Sequence, residues 1–81
     1  MRRLYLVGQT VDSCLNNETL ERLIQEQGKV FQTLNKTKLF LDLYEHAMWT
    51  VMVKLHRDLE RDEKKIIYNR VLQFLMARGL D

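Results

Sequence analysis

Residues 38–60 read KLFLDLYEHAMWTVMVKLHRDLE, and how this stretch is covered decides the fold. At 100° per residue, Phe40, Tyr44, Ala47, Met48, Val51, Met52, Leu55 and Leu59 form one broad apolar stripe, which predicts a helix over about 38–60 with that stripe facing the core. The opposite side carries Asp42, His46, His56 and Arg57, yet Trp49 and Val53 stand among them, with Leu39 and Leu43 at its edge. A helix that is apolar on more than one face is normally covered on more than one face. Trp49, Val53, Leu39, Leu43 and His46 are therefore the expected protein interface, with Trp49 as its anchor, because tryptophan is over-represented among residues that dominate binding energy; the competing reading has Trp49 closing a core between helices, since tryptophan is usually well buried.

Outward from this helix the punctuation is sparse. The chain has no proline and three glycines in 81 residues, which favours long helices. On the N-terminal side, Leu20, Leu23, Ile24, Gln27, Phe31 and Leu34 keep helical spacing straight through Gly28, predicting a helix over about 18–34 capped by Asn17. The competing reading stops it at Gly28 and makes 30–34 a strand. Asn35 to Lys38 is the corner, with Asn35 or Thr37 as the next cap. On the C-terminal side the charged run Glu60–Lys65 reads as a turn. Asp62 is the expected cap of a third helix over about 62–78, faced by Ile67, Val71, Phe74 and Leu75 and stopped by Gly79. Without that turn, residues 38–78 would be one rod about 60 Å long that needs a partner to bury its faces. Arg3–Val7, rich in Leu, Tyr and Val and closed by Gly8, reads as a strand over about 3–7. Thr10–Asn16 has room for one helical turn with Val11, Cys14 and Leu15 on one side, but Ser13, Asn16 and Asn17 favour a turn as well, and the piece is left unassigned. The expected fold is thus all-α or nearly so: a single domain over 1–81 with three helices and a short N-terminal strand.

Composition narrows function mainly by exclusion. Thirteen Lys and Arg against eleven Asp and Glu give +2, spread evenly along the chain, too little to declare affinity for nucleic acid or membrane. The single cysteine, Cys14, cannot staple the chain and suits a reducing, cytoplasmic compartment. Arg2-Arg3 followed by Leu4–Val7 has the order of an export signal, but the apolar run is too short for one, and no stretch approaches the roughly 18 residues of a membrane span. His46 and His56 lie about 15 Å apart on one helix and cannot share a metal. Asp42–His46 and His56–Glu60 are i, i+4 pairs in which a carboxylate is expected to hold each imidazole. Phosphate loops, nucleophile elbows and metal-ligand motifs are absent from the sequence, so no enzyme activity, cofactor or small-molecule substrate is expected. Cys14 reads as a small buried residue rather than a nucleophile.

Two functional classes remain. The first is a non-enzymatic regulatory or adaptor protein that associates through its apolar helix faces, as a homodimer. The second is a dimeric DNA-binding regulator: a strand bearing Arg2, Arg3 and Tyr5 would pair across a two-fold axis and enter the major groove. In its order of elements, strand then two helices over residues 2 to about 59, the chain resembles the ribbon-helix-helix regulators. It departs from them in the ten residues Gly8–Asn17 and in its third helix, and no functional residue carries over.

Overall fold

The computed structural model describes residues 2–29 and 33–81, and these form four helices: α1 (Arg2–Cys14), α2 (Asn17–Gly28), α3 (Lys36–Leu55) and α4 (Arg61–Met76). The expected count of three helices is corrected to four, and the expected strand over 3–7 is the first half of α1. Among the described residues there is no strand. The deciding pattern is Val7, Val11 and Cys14, all buried and spaced by four and three, which a strand would scatter over both faces. Inside α1, the polar side chains that favour turns are satisfied by the helix itself: the Thr10 hydroxyl donates to the Leu6 carbonyl at 2.8 Å and Ser13 to the Thr10 carbonyl at 2.6 Å. Gly8 is not a terminator. It faces α4, where a β-carbon would stand 2.8 Å from Nη2 of Arg70, so its lack of a side chain lets that guanidinium lie against the helix on its way to Asp12.

The helix expected over 18–34 stops at Gly28. Its cap is Asn16 rather than Asn17, the Asn16 Oδ1 accepting from the Thr19 N–H at 2.8 Å. The reason for the early stop is Gln27, whose buried side chain takes the Asn35 N–H at 2.9 Å and donates to the Asn35 carbonyl at 3.1 Å. Had the helix continued, residue 35 would lie about 12 Å further along the axis, beyond reach of that amide. Phe31, assigned to the core face, and the possible strand around 30–32 lie outside the described residues; Leu34 is exposed.

Asn35 caps α3 by accepting from the Lys38 N–H at 3.0 Å. The helix ends at Leu55, five residues before the expected Glu60, because His56 takes the left-handed conformation (φ 57°, ψ 36°). The chain then turns, which rules out the continuous rod. Glu60, not Asp62, is the N-cap of α4, and its N–H donates to Oε1 of Glu63 at 2.8 Å, one half of a capping box. At the far end Gly79 is left-handed (φ 69°), and the Leu80 and Gly79 N–H groups close on the Leu75 and Met76 carbonyls at 2.9 and 3.1 Å, the expected stop.

α1, α3 and α4 pack against one another, and α2 lies along α3. The core is Val7 and Val11 of α1, Leu20 and Leu23 of α2, Leu39, Leu43, Ala47 and Val51 of α3, and Ile67, Val71 and Leu75 of α4. Polar ties join elements distant in sequence: Arg70 to Asp12, and Arg78 to Asn17 Oδ1 at 3.2 Å while its guanidinium stacks on Phe74.

Candidate interaction surface

The five side chains expected at the interface divide into two sets. Leu39 and Leu43 are fully buried between helices and belong to the core, so their placement on the free face is corrected. Trp49 and Val53 are 60% and 64% exposed, and His46 is half-buried beside them. The error is a rotation. The buried line runs Leu39, Leu43, Ala47, Val51 in steps of four, which wind about 40° per step around the helix, following three packed neighbours in place of one flat face. Phe40, Tyr44 and Met48, expected at the centre of the core stripe, flank it half-buried; Phe40, Tyr44 and Tyr68 meet as an aromatic group with centroids 5.0 to 6.0 Å apart.

Trp49 stands between two shallow depressions. One is lined by Leu23, Glu26, Lys38, Asp42, Glu45 and His46, the other by Met52, Val53, His56, Arg57 and Asp58. Neither expected imidazole–carboxylate pair forms: Asp42 takes Lys38 as its partner at 3.2 Å, and Glu60 takes Arg3 at 3.1 Å.

Beside the second depression lies a charge cluster that sequence reasoning missed. Glu63 has no solvent exposure, yet its carboxylate accepts from Arg57 Nη1 and Nη2 at 2.9 and 2.8 Å and lies 3.1 Å from Arg3 Nη1. The hydrogen bonds from Arg57 are the largest cause holding the Glu63 carboxyl down to about 2, and desolvation opposes them. Arg3 also binds Asp62 at 2.7 Å, which raises the guanidinium pKa and lowers that of Asp62. The available signal was Glu60-x-x-Glu63, a capping spacing with an arginine just upstream. The cluster bolts the start of α1 onto the α3–α4 turn, so Arg3, expected on a DNA-reading strand, is engaged within the fold. Tyr5 is exposed on α1, accepting from the Gln9 amide at 3.0 Å; the Arg2 side chain lies outside the described residues.

A third depression, apolar and also missed, runs between α3 and α4 along Phe40, Leu41, Tyr68, Leu72 and Leu80, with a volume of about 410 Å³ and Lys36 and Asp81 at its rim. Cys14 is buried with its thiol toward the Val11 carbonyl at 3.2 Å, and burial pushes its pKa up, away from a reactive thiolate. Among the described residues, no three His, Cys, Asp or Glu side chains gather as metal ligands, and no helix is long and apolar enough to cross a membrane. Comparison of the chain with protein-family models, with curated proteins and with solved structures returns no match.

Proposed function

We propose that this chain is a small binding protein that acts by occupying another protein through the α3 face centred on Trp49 and Val53, without catalysis of its own. The observation that carries the reading is Trp49: the core among the described residues is built without it, and the chain's one tryptophan is left mostly in water beside an equally exposed valine. Covering the exposed part of such a ring is worth on the order of 3 kcal/mol at the usual area coefficient. Charged groups around the two depressions would then select the partner by restricting what can approach. The duplex-binding alternative loses its support, since α1 supplies no strand to pair and Arg3 is held by Asp62 and Glu63.

The test is site-specific photo-cross-linking in the cells that make the chain, with a benzophenone side chain at Val53 and, as control, at exposed Lys65 on α4. A discrete adduct from position 53 and none from position 65 is expected. Equal yields from both, or none from either, defeat the proposal.

A further inference from the structure

The chain turns at His56-Arg57-Asp58-Leu59-Glu60, a connection with neither glycine nor proline. Arg57, Leu59 and Glu60 are good helix formers. His56 bends the chain by taking the left-handed conformation, the one non-glycine residue to do so among the described residues. Local preference therefore favours running α3 straight into α4, and the bonds that overcome it converge on Glu63. Its carboxylate accepts from Nη1 and Nη2 of Arg57 at 2.9 and 2.8 Å and from the Glu60 N–H at 2.8 Å, while Arg57 Nη1 also donates to the Asp58 carbonyl at 2.8 Å. A straight helix keeps none of the bonds to Glu63. Along it, residues 57 and 63 stand about 9 Å apart and roughly 120° around the axis, and the Glu60 N–H belongs to the carbonyl four residues before it.

The ties between α4 and α1 are of another kind. Arg3 to Asp62 and Glu63, at 2.7 and 3.1 Å, and Arg70 to Asp12 join the two helices without involving the connection, so the α4 of a second copy can satisfy them. We infer that Glu63, through Arg57 and the Glu60 N–H, is a lock on chain topology. It selects the hairpin, and its release lets α3 and α4 fuse into one helix that exchanges α4 with a second copy of this chain. In a lone chain, a fused helix about 60 Å long would take Ile67, Val71 and Leu75 out of the core they share with Val7, Val11 and Leu43. Exchange restores that core in both copies, each α4 seated on the other's α1 and α3, and closes as a two-fold pair. The strain at His56 is relieved in the same step, and short connections under strain invite such exchange. The Trp49 face plays no part in it, so this inference and the proposed function stand or fall separately.

The test refolds the full chain from urea at high concentration and reads its mass by light scattering on a sizing column. The parent should be monomeric, Glu63→Ala and Arg57→Ala predominantly dimeric, and Asp12→Ala, which breaks the Arg70 tie but leaves the connection intact, monomeric. Adding His56→Gly to Glu63→Ala should restore the monomer, because glycine turns left-handed without strain and weakens the fused helix. Topology is read by spin-label distances between Leu41→Cys and Leu72→Cys in a Cys14→Ala background, diluted with unlabelled chain of the same variant. In the hairpin both positions line one depression, on packed helices whose axes are about 10 Å apart; in the fused helix they stand about 46 Å apart. A variant dimer that keeps the short distance has paired without exchange and overturns the inference. So do variants that are helical by circular dichroism yet stay monomeric, an Asp12→Ala chain that exchanges as readily, a dimer that His56→Gly does not reverse, and a parent that itself exchanges. Should Glu63→Ala fail to fold, Arg57→Ala carries the test; if neither folds, the cluster is a condition of folding rather than of topology, and the inference falls.

Discussion

Replacing Glu63 by glutamine isolates the charge on the one fully buried carboxylate while keeping a side chain that can accept the Glu60 N–H at the third helical position. Its carboxyl is held down to about 2 against an ordinary 4.5, which by linkage corresponds to about 3 kcal/mol. Arg3 and Arg57, at 40% and 39% side-chain exposure, remain partly hydrated, which brings the expected loss to about 2 kcal/mol at pH 7. For 81 residues, with a total stability of roughly 4–12 kcal/mol, that is a large share. The folded pKa is depressed, so the stabilisation is fully present above pH 4.5 and is lost as pH falls from there through 2. Urea unfolding of the parent and of Glu63→Gln at intervals from pH 7 to pH 2 should show a gap that is constant down to about pH 5 and then closes. A gap unchanged at pH 2, or none at pH 7, would falsify the claim that the ionised carboxylate holds the cluster together.

The other expectations concern the ends of helices and the division between core and surface. His56→Gly relieves a left-handed residue that has a β-carbon and should stabilise by about 1 kcal/mol, while Gly79→Ala imposes the same strain and should cost about 1–2 kcal/mol; opposite signs in one denaturation series are the check. Gln27→Leu strands the Asn35 N–H and carbonyl and should cost about 1–2 kcal/mol, and amide exchange at Asn35 should quicken. Leu43→Ala should cost about 2–5 kcal/mol and Trp49→Ala, in dilute monomer, within about 0.5 kcal/mol. Equal losses at the two positions would mean that the two residues share one environment, contrary to their burial.

Where the sequence was legible, a single local cause decided the outcome. Gly79 and Leu80 at the end of α4, Asn35 as a cap and the exposed position of Trp49 and Val53 all follow from neighbouring residues. The misreadings share another cause. Leu4–Val7 followed by Gly8 has the composition of a strand, and the burial of Val7, Val11 and Cys14 at helical spacing against α3 and α4 makes a helix of it. The helical spacing that continues past Gly28 misled: α2 ends there, where the Gln27 side chain holds the backbone of Asn35 eight residues on. Leu39, seven residues before His46, lies about 20° from it around the helix, and Leu43, six before Trp49, about 120° from that ring; three packed neighbours rather than one moved the core line onto these two leucines. Glu63 was invisible because its partners come from residue 57 and from residue 3, sixty positions away.

That last separation has a consequence for how the protein is made. Its first helix closes against its last, with Val7, Val11, Ile67 and Val71 in one core and with Arg3 and Asp12 reaching Asp62 and Arg70. A chain synthesised from its N-terminus presents α1 long before α4 exists, and contacts of such sequence separation form late because the loop between them must be closed first. Until then Val7 and Val11 have lost half their cover. Nascent chains should accordingly acquire protease resistance in one step after α4 emerges, rather than helix by helix.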